Sequence, residues 1–118
     1  MITKQERRER TKRFSEDIER ITAEANELGL QLRIGESYGS PFYWMFDHTD
    51  RARDGRLHVL EYWPGTGSFK ATFRSGRYYC SGKHNGPRLT PDEALKVAVH
   101  VLEHDTMPPG SNRTLFPE

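Results

Sequence analysis

The chain has 118 residues, of which 30% are charged and 34% hydrophobic, and its formal net charge is +1. That length suits one domain with a lean core to which aromatic rings contribute heavily, and the near-neutral balance excludes a bulk polycation, so any electrostatic partner meets a local patch. A lone cysteine, Cys80, excludes an internal disulfide framework and fits a reducing, cytoplasmic setting, and the start MITKQERRER contains no apolar leader, which leaves the sequon at Asn112 idle.

In chain order, residues 3–28 read as one helix. Thr3 and Glu6 have capping-box spacing, Gly29 supplies a stop, and Phe14, Ile18, Ile21, Ala25 and Leu28 fall on one face. Before Phe14 there is no apolar stripe, so the basic first turns are expected to project into solvent, and Ser15-Glu16-Asp17 offers a second start for the ordered helix. Leu30, Leu32 and Ile34 alternate with Gln31 and Arg33 as in a half-buried strand. Phe42 to Phe46 reads as a strand that is central in the sheet or partly covered on both faces, with Asp54-Gly55 as the turn to a third strand over 57–63. Residues 69–74 and 77–80 are strands four and five, joined at Ser75-Gly76, and 82–89 is a loop. Thr90 as N-cap, Pro91 at N1 and Glu93 at N3 open the last helix, whose stripe is Ala94, Leu95, Ala98, Val101 and Leu102.

This order implies an α+β fold: an N-terminal helix, an antiparallel sheet of four or five strands and a C-terminal helix, both helices on one face. Residues 1–105 then form one domain, with 1–13 as a charged helical extension. Residues 106–118 are a Pro-rich tail, with Leu115 and Phe116 available to pin it.

The window from Tyr62 to Pro91 contains no Asp or Glu. It interleaves Lys70, Arg74, Arg77, Lys83 and Arg88 with Tyr62, Trp63, Phe69, Phe73, Tyr78 and Tyr79, a pattern suited to phosphates and stacked bases or to an acidic protein surface. A two-residue hairpin at Ser75-Gly76 sets Arg74 opposite Arg77, Phe73 opposite Tyr78 and Thr72 opposite Tyr79. Two facing arginines repel, which suggests a missing anion, although charged edge strands also serve to block aggregation. The expected partner-binding residues are Tyr62, Trp63, Lys70, Arg74, Arg77, Tyr79, Lys83 and Arg88.

Catalytic and metal motifs fail on context. His100-Val-Leu-Glu103-His104 matches the H-x-x-E-H spacing of inverted zinc peptidases but ends a helix, where histidines complement the dipole. Asp50, Asp54, Gly55 and Glu61 fit a calcium-loop template only in part, with Ala52 at a ligand position and Arg51, Arg53 and Arg56 opposing a cation. Cys80 with His84 is a conceivable nucleophile–base pair, yet Cys80 falls on the core side of its strand. No catalytic residue, metal or cofactor is expected, and the protein is read as not an enzyme.

Glu61-Tyr62-Trp63-Pro64-Gly65-Thr66-Gly67-Ser68-Phe69 resembles a hairpin of small uncharacterised proteins of phages and mobile elements, in which an acidic residue and aromatics precede Trp-Pro and a Thr-Gly turn. The likeness spans about residues 56–88. It implies a provenance among small, single-domain, non-catalytic accessory proteins of mobile genomes. Together with the modest net charge, the absent chemistry and an exposed Arg, Tyr and Trp face, it supports a factor that docks on a host nucleic-acid-handling protein and modulates or inhibits it, as an anti-defence factor would. The alternative from the residues themselves is a direct nucleic-acid-binding module using the basic and aromatic hairpin face together with the basic N-terminal turns. The acids Asp92, Glu93, Glu103 and Asp105 of the last helix weigh against that alternative. The order of elements also looks loosely like a double-stranded-RNA-binding domain, but Leu89-Thr-Pro-Asp-Glu lacks the lysine cluster of such domains.

Overall fold

The computed structural model describes residues 1–83 and 87–108, apart from the side chains of 51 and 52. It is an α+β fold built on a five-stranded antiparallel sheet in the order β1-β2-β3-β4-β5. The strands are β1 (Leu30–Ser37), β2 (Ser40–His48), β3 (Leu60–Trp63), β4 (Ser68–Thr72) and β5 (Arg77–Cys80). Helices α1 (Lys4–Ser15) and α2 (Ile18–Glu27) precede the sheet, the single turn α3 (Arg51–Asp54) follows β2, and α4 (Pro91–His104) closes the described fold.

The expected single N-terminal helix is two helices. The Ser15 hydroxyl donates back to the Lys12 carbonyl, and Glu16 N–H closes on Arg13 at 3.3 Å, so the ladder tightens and stops. Asp17 then starts α2 without a side-chain cap. The basic turns of α1 do not simply project into solvent. Ile2, Thr11 and Phe14 are buried, and Arg10 donates to the Pro64 and Leu89 carbonyls at 3.0 and 2.9 Å. A helix with almost no apolar stripe is thus docked by an arginine fork on backbone oxygens, with the Arg10 and Arg13 guanidinium carbons 5.0 and 4.6 Å from the Phe14 ring centre.

On one face of the sheet, alternation places Leu30, Leu32, Trp44, Phe46, Leu60, Tyr62, Phe69, Ala71 and Cys80, all buried. They share one core cluster with Phe14, Ile21 and Ala25 and with Ala94, Leu95, Val97, Ala98 and Val101 of α4. Leu102 is only partly buried, and Met107, read as tail, is buried. The capping box at Thr90 and Glu93 forms as the spacing predicts. Arg20 of α2 reaches Asp92 of α4 at 2.8 Å, tying the helices at the surface.

The third strand is shorter than expected, because the β2–β3 connection takes up the α3 turn, Gly55 at positive φ and an exposed Leu57. Arg56 clamps this connection: its fork pairs with Asp54 and a third nitrogen donates to the Thr72 carbonyl.

The β4–β5 hairpin is out of the expected register by two residues. Thr72 faces Arg77 and Lys70 faces Tyr79, so Arg74 and Arg77 are not opposed. A two-residue turn of the favoured hairpin type needs left-handed backbone. The left-handed glycines of the described chain are Gly29, Gly39, Gly55 and Gly67, and Gly76 is not among them. The turn is instead four residues long, closed by Phe73 N–H on the Gly76 carbonyl at 2.7 Å. Phe73 stays against the core with its ring edge-on to Tyr78, and the Arg74 amide donates to Asp105 at 3.0 Å.

Candidate functional site

The face of the sheet opposite the core carries Arg33, Tyr43, Met45, Asp47, Glu61, Trp63, Lys70, Arg77 and Tyr79. It is not acid-free, because β2 and β3 bring Asp47 and Glu61 beside the acid-poor hairpin. Asp47 is fully buried, with His58 Nδ1 at 2.6 Å and Arg33 Nε at 2.9 Å from its two oxygens. The Arg33 contact is close but off the hydrogen-bond axis, leaving an ion pair without an aligned N–H. Glu61 accepts the Tyr43 hydroxyl and lies 3.5 Å from the Lys70 ammonium. Burial, then that neighbouring carboxylate, raises the Tyr43 phenol well above its ordinary pKa and keeps it a donor. Charge in the middle of the face is therefore paired within the protein.

The expected site residues divide accordingly. Tyr62 has the opposite parity to Trp63 and is fully buried on the core face, where its hydroxyl donates to the Leu89 carbonyl at 2.7 Å. It cannot touch a partner. Lys70 is paired with Glu61, Arg74 lies in the turn beside Asp105, and Arg77 is exposed on the edge strand. Arg88 donates to the Gly82 carbonyl at 2.8 Å and faces a cavity on another side of α1 that is lined by Glu6, Glu9, Glu16 and Lys12. Trp63, Tyr79 and Lys83 do come together.

They meet in a pocket of about 290 Å³ at the margin of the open face. Phe42, Trp63 and Tyr79 form aromatic walls, Arg7 and Lys83 supply cations, and Thr11, Thr66 and Ser68 supply hydroxyls. Trp63 is held from one side by Tyr43, nearly parallel at 5.3 Å, and meets Tyr79 edge-on at 6.3 Å. Tyr79 is 55% exposed and Phe42 42%.

The floor is the Trp-Pro-Gly-Thr-Gly turn, packed closely from two directions, on α1 side chains at Gly65 and on backbone at Gly67. A Cβ on Gly65 would lie 2.6 Å from Arg7 Cγ and 2.8 Å from Thr11 Oγ1. One on Gly67, at φ +72°, would lie 2.5 Å from Arg88 Cα. Here glycine is required for close approach, and the turn is pinned to α1 and to the segment before α4.

A second concavity adjoins the first and shares Arg7, Thr11 and Phe42 with it. It adds Arg8 and Lys12 from α1 and Tyr38 from the β1–β2 hairpin tip. Tyr38 is fully exposed with φ of 51°, an uncommon backbone for a bulky aromatic residue. Among the described residues, no Asp or Glu lines either concavity. Sequence reasoning missed Tyr38 and Phe42, the latter in a strand read as central or partly covered; Arg7 belonged to the basic N-terminal turns that the nucleic-acid alternative included, without being singled out as a site residue. The Ser-Tyr-Gly-Ser tip was the available signal, since Tyr-Gly replaces the usual Asn-Gly.

The His100 and His104 rings lie 4.5 Å apart, tilted by 40°, on the last turns of α4, and burial, then the His104 charge, lowers the His100 pKa. Among the described residues no three metal-ligating side chains converge, and no helix is long and apolar enough to cross a membrane. Cys80 is buried, while His84, Asn112, Leu115 and Phe116 lie outside the described residues. Comparison with protein-family models, curated proteins and solved structures returns no match to this chain.

Proposed function

We propose that this chain is a non-enzymatic, cytoplasmic binding module that engages single-stranded nucleic acid along the two joined concavities beside α1. The observation that carries this reading is their chemistry. Arg7, Arg8, Lys12 and Lys83 line them together with Tyr38, Phe42, Trp63 and Tyr79, and no acid is among the described lining residues. Cations spaced along a groove neutralise phosphates, and exposed rings stack on bases without regard to sequence. A strained, fully exposed Tyr38 supports a functional use of that ring. Of the four acids of the last helix that argued against direct binding, Glu103 is exposed at the helix end beside His104 and the other three are engaged within the fold. Asp92 pairs with Arg20, Glu93 caps α4 and Asp105 meets Arg56 and the Arg74 amide.

A second reading is a docking factor for a host protein of a nucleic-acid-handling complex, in keeping with the phage and mobile-element likeness of the hairpin. It is favoured by the internal pairing of Lys70 with Glu61 and of Arg33 with Asp47, which leaves the centre of the face neutral and aromatic.

Fluorescence anisotropy with a labelled oligothymidylate separates the two. Tyr38→Ala and Trp63→Leu are each expected to weaken binding by about 1–3 kcal/mol, the usual worth of one stacked base. Full affinity in the double variant would remove the site. Absence of binding by the wild type at low salt would leave the docking reading.

A further inference from the structure

Resting on the nucleic-acid reading, we infer that the pocket under Trp63 is an end-binding subsite, which takes a terminal nucleotide carrying a phosphomonoester in preference to a nucleotide within a strand. The first ground is size. A volume of about 290 Å³ suits one ring and its phosphate.

The second ground is an account of hydroxyl protons. Ser68 Oγ accepts from Gly82 N–H at 2.8 Å, and Thr66 Oγ1 accepts from Ser68 N–H at 3.3 Å. The two oxygens are 2.7 Å apart and share one proton. Two hydroxyls carry two protons, so one O–H of the pair has no acceptor among the described hydrogen bonds, and both residues line the pocket. The Thr11 hydroxyl is already committed to the Arg7 carbonyl at 2.9 Å.

The pocket thus presents one spare O–H, the Arg7 and Lys83 cations and aromatic walls. A backbone phosphodiester has a single charge, whereas a terminal phosphate carries about −1.5 to −2 with three acceptor oxygens. That larger charge matches two cations and a donor better than a passing diester does. The glycine contacts at 65, 67 and 82 hold the floor before any ligand arrives, which limits the ordering cost of binding.

The test uses the full chain and four short oligothymidylates: 5′-phosphorylated, 3′-phosphorylated, hydroxyl at both ends, and a closed circle. One phosphorylated end should bind at least about tenfold more tightly than the hydroxyl-ended strand, as one added charge-assisted contact would give. The preferred end identifies the polarity. In Lys83→Met the ratio of phosphorylated to hydroxyl-ended affinity should fall toward one, whatever happens to absolute affinity. Equal binding of all four probes by the wild type, or a ratio unchanged in Lys83→Met, overturns the end-binding inference and leaves strand binding standing. Failure of the wild type to bind any probe overturns the nucleic-acid reading, and this inference falls with it.

Discussion

Arg56→Met is expected to destabilise the protein by roughly 3–5 kcal/mol, the cost of leaving a buried charge without its partner. The Arg56 side chain is 6% exposed and that of Asp54 1%. Two nitrogens of the fork lie 2.7 Å from the two Asp54 oxygens, a third donates to the Thr72 carbonyl at 3.0 Å, and Asp105 is 3.4 Å away. One side chain therefore holds the β2–β3 connection, the end of β4 and the C-cap of α4. Methionine keeps the stem volume but abandons the carboxylate and the carbonyl. The effect has a defined pH dependence. Hydrogen bonding from Arg56, then its charge, holds the Asp54 carboxyl below its ordinary value. That contribution is complete above the unfolded-state value of about 3.9 and is lost as pH falls through the lower folded-state value. Urea unfolding should show the full gap between wild type and variant at neutral pH and a narrowing gap in acid. A gap below about 1 kcal/mol at neutral pH would show that the clamp is dispensable.

Gly82→Ala is the second large effect. The new Cβ would sit 1.9 Å from the Thr66 carbonyl oxygen and 3.0 Å from its carbon, both backbone atoms. Neither side yields easily, because the Leu89 amide donates to the Gly67 carbonyl at 3.1 Å and Gly67 is itself pressed on Arg88. Overpacking of this kind costs about 1–3 kcal/mol or more, and relief by displacement would carry the pocket floor with it. Loss of stability and loss of binding should therefore appear together. Gly76→Ala is the control: nothing lies within 4 Å of its added Cβ, so stability should stay within about 0.5 kcal/mol. Equal unfolding midpoints for the two variants would contradict the packing of the Trp-Pro-Gly-Thr-Gly turn.

The elements whose signals are local were legible in the sequence. Thr90, Pro91 and Glu93 open α4 where their spacing places it, and alternation in Leu30, Leu32 and Ile34 identifies the first strand. What failed was long-range. The four-residue turn at Phe73–Gly76 follows from Phe73 keeping to the core and from Asp105 holding the Arg74 amide, neither of which a hairpin template contains. Burial of Tyr62 follows from strand parity, which the acid-free window ignores. The window also overlooked Glu61, one residue outside it, and Asp47, which arrives from another strand. Arg7 joined the pocket because α1 docks through Arg10 on backbone carbonyls, a mode with no apolar periodicity to read.

The most direct test of the account is the salt dependence of oligothymidylate affinity. Each phosphate neutralised on a single strand contributes about −0.7 to the slope of log affinity against log salt. Engagement of three or four among Arg7, Arg8, Lys12 and Lys83 predicts a slope of about −2 to −3, reduced by about 0.7 in Arg7→Gln. Affinity independent of salt, or a slope unmoved in Arg7→Gln, would contradict binding along the concavities beside α1.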